Sequence, residues 1–376
     1  MEDLISLRHR IHSRPCLSGN EKETAEIVSE FLVQCNPDKL WTGIAGSGII
    51  ARFGRVENGP SVLLRCELDA LPIHEQGTPS YRSVYDGVAH SCGHDGHMAI
   101  MCGVAQWLSS RRDDLLKNGC VYLLFQPEEE TGAGAEKMAA WMKENNIVFD
   151  YALALHNWPG KTHGSVVIYP HTYAWASKGI KLDVIGRTSH ASEPQKALNP
   201  TDAIIEIIRK INSLNGETAF STVISAGVGE LDYGITPGRG YVATTTRSQT
   251  DEGLERLENR IIAQAEEIVS KYGLGLEVST TDYFPATMNT PELTQTVKRI
   301  AEEKRYPVER DLVGTKGSDD FVHIAKMARL GASFFDLGSG PDHAPLHRPD
   351  YDFDDSLIGI GVDIMSAVCQ HILQSR

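Results

Sequence analysis

Short, continuous apolar runs recur along the chain, and each leads into an acid, a histidine or a glycine-rich turn: SVLLRCELDALP from Ser61, CVYLLFQPEEE from Cys120, YALALHNWPG from Tyr151 and GASFFDLGSG from Gly331. Between or after them lie helix-like patterns such as DLLKN, EKMAAWMKENN and SLIGIGVDIMSAVCQHIL. Buried strands of this kind alternating with helices predict an α/β fold, with a mixed, largely parallel sheet flanked by helices. Functional groups collect beyond the carboxyl ends of such strands, so the residues that end these runs are the first place to look for chemistry.

The middle third follows a different pattern. KGIKLDVIG alternates as a strand, and PTDAIIEIIRKINSL places Ala203, Ile204, Ile207, Ile208 and Ile211 at helical spacing. STVISAGVGEL and GYVATTTRS alternate again, GLERLENRIIAQAEEIVSKYG is an amphipathic helix, and LGLEVSTTDY closes as a strand. The order β-α-β-β-α-β is that of a ferredoxin-like α+β unit. Strand-and-helix patterns of the first type resume after about Pro285. Residues 178–282 are therefore expected to form an inserted domain, with 1–177 and 283–376 forming one discontinuous domain around it.

Composition narrows the function. A chain of 376 residues with 41% hydrophobic content can furnish ordinary packed cores, which excludes a disordered or fibrous protein. A formal net charge of −14, with no Lys/Arg-rich run to reverse it locally, argues against nucleic acid and anionic membrane surfaces as partners. The seven cysteines lie scattered, without the spacing of a disulfide-stapled domain, which fits a reducing compartment. The start, MEDLISLRHRIHSRP, mixes acids and bases where a secretory signal needs an apolar core, and no run approaches ~18 apolar residues. A soluble, cytoplasmic protein is expected.

HSCGHDGHM, His90 to Met98, is the densest chemistry in the chain. Cysteine and histidine are the usual sulfur and nitrogen ligands of a divalent metal. Cys92 and His94, one residue apart, point the same way in an extended or looped backbone, whereas a helix would turn them about 200° apart. The pair is thus expected on a loop, with Asp95 as N-cap of the helix whose apolar positions are Met98, Met101, Ala105 and Leu108. Taken alone, Cys-x-His fits a buried thiol beside surface histidines better than a ligand pair. In FQPEEETGAGA, Glu128, Glu129 and Glu130 follow a strand ended by Pro127; on an extended backbone, one carboxylate can bind metal while its neighbour reaches the opposite side. The same residues also suit a solvated acidic turn ahead of a helix. His156 follows YALAL, His347 lies in LHRPDYDFDD, and Asp69 in RCELDALP is placed either to cap a turn or to fix a histidine tautomer. One cysteine, three histidines and a glutamate at strand ends are enough for two adjacent metal ions to share, beside a carboxylate able to carry a proton.

In the order LDALPI, HSCGHDGHM, FQPEEETGAGA, ALHNWPG, GRTSHASEP, GSDDF and LHRPDYDFDD, nearly the whole chain resembles the dinuclear metallo-amidohydrolase and peptidase family. That family includes hippurate hydrolase, N-acyl-amino-acid amidohydrolases and indole-acetyl-amino-acid hydrolases. The resemblance implies a zinc-aminopeptidase-like catalytic domain with an inserted lid. It implies metal binding by Cys92, His94, Glu130, His156 and His347, with Glu129 as general base and acid and with Asp69 and Asp95 as supporting carboxylates. It places His190 of GRTSHASEP as the lid histidine that stabilises an oxyanion, often in the partner subunit's site, and Arg247 of TTTRS as the arginine that meets a substrate carboxylate. Read from the residues alone, these two are a turn-capping histidine and a surface arginine. The implied activity is hydrolysis of the amide bond of N-acyl or N-aroyl amino acids or related small amides. The implied cofactors are two divalent ions, zinc or manganese first and cobalt or nickel next, and a homodimer through the lid is the implied assembly. Other readings are a dipeptidase or carboxypeptidase, and a noncatalytic metal-containing binding module. Two departures stand out: Glu67 occupies a position where the family commonly has aspartate, and Gly234 in GITP stands where the lid commonly carries asparagine, which leaves the substrate class open.

Overall fold

The computed structural model describes residues 3–375 and divides into two compact units: a larger one running up to Tyr173, then Met288–Val313 and from Asp319 on, and a smaller one of Ala174–Thr287 with Gly314–Ser318. The short second segment of the smaller unit, distant in sequence, is recruited by backbone pairing, since Trp175 N–H donates to the carbonyls of Thr315 and Gly317, each at 3.1 Å.

In the larger unit eight strands form one mixed sheet. Their spatial order is Lys39–Ile44, Gly48–Gly54, Cys120–Gln126, Ser61–Glu67, Tyr151–Pro159, Gly331–Gly340, Val166–Ile168 and Val308–Arg310. The four apolar runs that the hydrophobic pattern singles out are the four central neighbours, and they pair in parallel. Every residue of Ser61–Glu67 and Cys120–Gln126 is buried, as expected of strands covered on both faces. Parallel pairing has a functional consequence: all four central strands end on the same edge of the sheet, so Asp69, Glu129, Glu130, His156 and the loop after Gly340 emerge together.

One sequence expectation is revised here. DLLKN forms turns and a short 3₁₀ segment, Leu116–Asn118, because five residues before Gly119 give too few hydrogen bonds to offset helix nucleation. The C-terminal pattern SLIGIGVDIMSAVCQHIL forms the expected helix, Ser356–Gln374, which among the described residues is the one helix long and apolar enough by length and composition to cross a membrane. It is a core helix: Leu357, Ile364, Met365, Val368 and Leu373 are buried in the main apolar cluster together with Met98, Met101 and Leu108 of helix His94–Ser110.

The smaller unit is an antiparallel sheet in the order Ala219–Val228, Arg239–Ser248, Ala176–Ile185, Gly275–Phe284. Helices Thr201–Ser213 and Asp251–Lys271 supply its core through Ala203, Ile204, Ile207, Ile211, Leu257, Ile261 and Ala265. The chain order is the expected β-α-β-β-α-β, a ferredoxin-like arrangement.

Candidate active site

The turn into helix His94–Ser110 is set by Gly93, whose φ of +97° lies in the left-handed region; a Cβ there would meet Asn157 Oδ1 at 2.1 Å. The backbone therefore approaches Asn157 closely and the helix starts at His94. Asp95 is thus inside the first turn and does not cap it, contrary to the sequence expectation. Its carboxylate turns to His12 Nδ1 at 2.8 Å and Arg8 Nη1 at 3.1 Å, a buried ion cluster under the site. Cys92 ends the loop and His94 opens the helix, with both side chains buried.

Around Cys92 the donor atoms converge. Its Sγ is 3.4 Å from His156 Nε2 and 3.4 Å from His347 Nε2, and Glu130 Oε1 lies 3.6 Å from His347 Nε2 and 3.8 Å from His94 Nε2. Three overlapping triplets, Cys92–His94–His156, Cys92–Glu130–His347 and His94–Glu129–Glu130, each offer ligand atoms within 4.8 Å of one another. Both buried ring orientations are fixed from behind. His94 Nδ1 donates to the Asp69 carbonyl at 2.9 Å and His156 Nδ1 to the Asn157 carbonyl at 2.7 Å, which leaves each Nε2 as the lone-pair nitrogen facing the cluster. Asp69 thus fixes a tautomer through its main chain, while its carboxylate accepts from Glu130 N at 2.9 Å and Ser18 Oγ at 2.8 Å.

His94 Nε2 and Glu130 Oε1 are buried and have no hydrogen-bond partner among the described residues. The electrostatics match a missing positive charge. Burial opposes protonation of His94, but the Asp69 carboxylate, 3.6 Å from Nδ1, and the charges of Glu67 and Glu130 push its pKa up to about 10. Burial, then Glu130 and Glu129, raise the Cys92 thiol well above its ordinary value. Burial and the neighbouring His97 lower His156 well below its own, keeping the imidazole neutral as a ligand requires. A soft thiolate, three imidazoles and a carboxylate gathered with orphaned donor atoms suit a divalent transition ion.

Glu129 and Glu130 do not alternate sides as an extended segment would. Pro127 ends the strand, Glu128 takes φ +52°, and the turn is closed by Gly132 N donating to the Glu129 carbonyl at 2.8 Å. Both carboxylates consequently face His94 Nε2, each at 3.8 Å, while Glu128 points away to Lys137. Burial, together with Asp319, Glu130 and Asp320, raises the Glu129 pKa well above the ordinary carboxyl range against the pull of Arg65. His347 also has a left-handed backbone, φ +64°, pinned by its N–H to the Ser91 carbonyl at 2.7 Å.

Behind the ligand atoms lies a network that sequence reasoning did not assemble. Arg65, fully buried in its strand, pairs with Glu67, Asp319 and Asp320 and donates through Nε to Gln126 Oε1 at 2.9 Å. Glu67 reaches His97 Nδ1 at 2.8 Å, His97 Nε2 lies 2.8 Å from Asn157 Oδ1, and Asn157 Nδ2 donates to Tyr351 at 2.5 Å. The available signal was a charged residue inside an otherwise apolar run, SVLLRCE, and the paired acids of GSDDF. His90 is buried beside His12, their ring centroids 6.3 Å apart.

His190 and Arg247 belong to the smaller unit. His190 is exposed on the two-residue strand Ser189–His190, which pairs with Ile235–Thr236, and its Nδ1 is 2.7 Å from Ser192 Oγ. Arg247 is half-buried in strand Arg239–Ser248, with Nη1 donating to the Lys316 carbonyl at 2.8 Å and to Ser318 Oγ at 3.2 Å.

A mixed-sheet domain with a cysteine, histidine and carboxylate cluster at the ends of its parallel central strands, and an inserted ferredoxin-like unit, defines a class of metal-dependent hydrolases. Residues 63–371 match the model of peptidase family M20/M25/M40, and the chain belongs to that family. It is 29% identical to the N-acetyl-L-cysteine deacetylase of Bacillus subtilis (strain 168) over 95% of this chain and 85% of that one. It is 26% identical to the hippurate hydrolase of Campylobacter jejuni over 94% of this chain and 92% of the relative. Among solved structures, the Bacillus subtilis YxeP protein, described as a dinuclear metal binding peptidase from the M20 family, superposes with a TM-score of 0.87 at 24% identity, covering 99% of this chain and 98% of that chain.

Proposed function

We propose that this protein hydrolyses the amide bond of N-acyl or N-aroyl amino acids or closely related small amides. The observation that carries the reading is the convergence of Cys92, His94, Glu130, His156 and His347 on one spot with Glu129 beside them. These five residues would hold two divalent ions, zinc or manganese by donor type, with cobalt or nickel as close alternatives. Bound there, such ions polarise the amide carbonyl and acidify water.

The chain's own residues carry the rest. Glu129, as the carboxylate, accepts the proton of the attacking water and delivers it to the departing amine nitrogen; burial and the neighbouring acids raise its pKa and so strengthen it as a base. Asp69 holds both the His94 ring and the Glu130 backbone, so that one residue orients two ligands. His190 would donate to the developing oxyanion from a lid formed by residues 178–282, and Arg247, its plane fixed by Lys316 and Ser318, would pair with the substrate carboxylate. A homodimer through the lid and a cytosolic setting complete the reading; the seven free thiols support the latter.

The test pairs elemental analysis with hydrolysis of a panel of acyl-amino acids and dipeptides. Wild type is expected to carry about two ions per chain and to release amino acids from acylated substrates, whereas Glu129→Gln keeps the metal and loses ~10³-fold in kcat. A metal-loaded Glu129→Gln protein with full turnover would sink the assignment of the base. Metal without turnover on any amide would sink the hydrolase reading itself.

A further inference from the structure

A cavity of about 590 Å³ lies wholly within the smaller unit, at the end of its sheet. That size accommodates a small metabolite. Its floor is main chain: Gly186 N–H donates to the Gly238 carbonyl at 2.8 Å, and Gly229 N–H donates to the Arg239 carbonyl at 2.9 Å. Gly238 permits this close approach, because a Cβ there would sit 2.6 Å from Thr188 N.

The walls carry both signs of charge and an apolar side. Arg187 and Arg239 supply guanidinium groups, Glu230 and Asp232 supply carboxylates, and Ile185 and Ile235 supply aliphatic surface. The contacts already made by the charged groups leave capacity for a ligand. Arg187 reaches the Lys196 carbonyl through Nε and Nη2 at 3.4 and 3.3 Å, Arg239 Nη2 lies 3.5 Å from Glu277, and Asp232 Oδ1 accepts from Gly234 N at 2.7 Å. Two cations, two anions and an aliphatic wall around one cavity complement a small molecule with a carboxylate, an ammonium and an apolar side chain.

We infer that this cavity of the smaller unit is a binding site for a free aliphatic α-amino acid. Arg187 and Arg239 take the carboxylate, Glu230 and Asp232 the ammonium, and Ile185 and Ile235 the side chain. The site is wired to the lid histidine. Ile235 pairs directly with His190, Ala191 N–H donates to the Gly234 carbonyl at 2.9 Å, and Thr236 Oγ1 donates to the Ser189 carbonyl at 2.8 Å. An amino acid lodged against Ile235 therefore bears on the strand that holds His190. If the hydrolase reading is right, the ligand is of the product's own class, and its occupancy is feedback on the lid.

The experiment is calorimetric titration of the full-length, metal-loaded protein with L-leucine, 4-methylpentanoate, which lacks the ammonium, and leucinol, which lacks the carboxylate. Leucine is expected to bind, and each analogue to bind at least about tenfold more weakly. Arg239→Ala and Glu230→Gln, both exposed positions, are each expected to weaken leucine by about tenfold or more while folding as wild type by circular dichroism. No heat up to about 10 mM leucine, a limit set by millimolar affinity, overturns the site. Equal affinity for the three ligands overturns it too, as does unchanged affinity in both variants, which would place the leucine elsewhere. Because the readout is binding of a free amino acid, it fails independently of amide turnover.

Discussion

His12 shows how one side chain beneath the site can set the pH range of the whole. It is buried at the end of helix Leu4–His12, with Nδ1 2.8 Å from Asp95 and Nε2 3.3 Å from Glu75. Burial alone would lower its pKa; the hydrogen bond and charge of Asp95, with Glu75, reverse that and raise it from 6.5 to about 9. The folded value exceeds the unfolded one, so this stabilisation is fully present below pH 6.5 and is lost as pH rises through about 9. Urea melts across pH 6 to 9.5 are expected to show a falling midpoint over that window, and His12→Gln, less stable at pH 6, should show a flatter profile there. At the same scale, the left-handed backbones of Glu128 and His347 are what aim Glu129, Glu130 and the His347 ring inward, and no side-chain pattern in the sequence announces a positive φ at a glutamate or a histidine.

Elements act here as mounts for those residues. The turn at Gly93 decides that Cys92 sits on a loop and His94 on a helix, so Gly93→Ala adds both a strained φ and a clash with Asn157. That variant is expected to lose about 2 kcal/mol or more of stability and to bind metal more weakly, by denaturant melts and elemental analysis, because the displaced Asn157 adjoins His156. The first helix is tied down by Arg8, fully buried, whose guanidinium pairs with Asp95 at 3.1 Å, Asp352 at 2.8 Å and Asp355 at 2.6 Å and lies over the Tyr81 ring. Removing the cation leaves the buried Asp95 with His12 as its remaining partner, so Arg8→Ala is expected to cost about 3 kcal/mol in denaturant melts. The central strands and the helices His94–Ser110, Gly134–Glu144, Thr201–Ser213, Asp251–Lys271 and Ser356–Gln374 were legible from periodicity, whereas Leu4–His12, Lys22–Gln34 and Pro291–Glu303 were not singled out and DLLKN forms no α-helix. The turn geometry at Glu128–Glu130 was not, because it depends on Pro127 and on a left-handed residue rather than on an alternating pattern.

For the whole molecule, the mixed sheet brings together acids and a thiol from four separate stretches of sequence, a crowding of negative groups that a bound cation would offset. Glu67, Asp69, Cys92, Glu129, Glu130, Asp319 and Asp320 are acids or a thiol, with Arg65 as the buried arginine among them. Chelation is expected to lower the melting temperature of the larger unit and abolish turnover, with both restored by adding back the divalent ion that fits. Melting unchanged by chelator would mean that the cluster binds no ion.

The sequence by itself determined the class of fold, the four central strands and the ferredoxin-like order of the insertion, because periodicity and composition are local or one-dimensional properties; it offered the candidate donor residues only through the resemblance of its motifs. Tertiary structure alone decided which atoms of those residues face one another. The Asp69 carbonyl rather than its carboxylate orients His94; Asp95 belongs to Arg8 and His12 rather than to a cap; Arg65 gathers Glu67, Asp319 and Asp320; and a charge-lined cavity opens beside the strand of His190. Apart from the local Arg65–Glu67 pair, the residue–residue contacts named here join residues 25 to 255 positions apart, and only the closing of the chain on itself sets which of many like-charged and unlike-charged groups become neighbours.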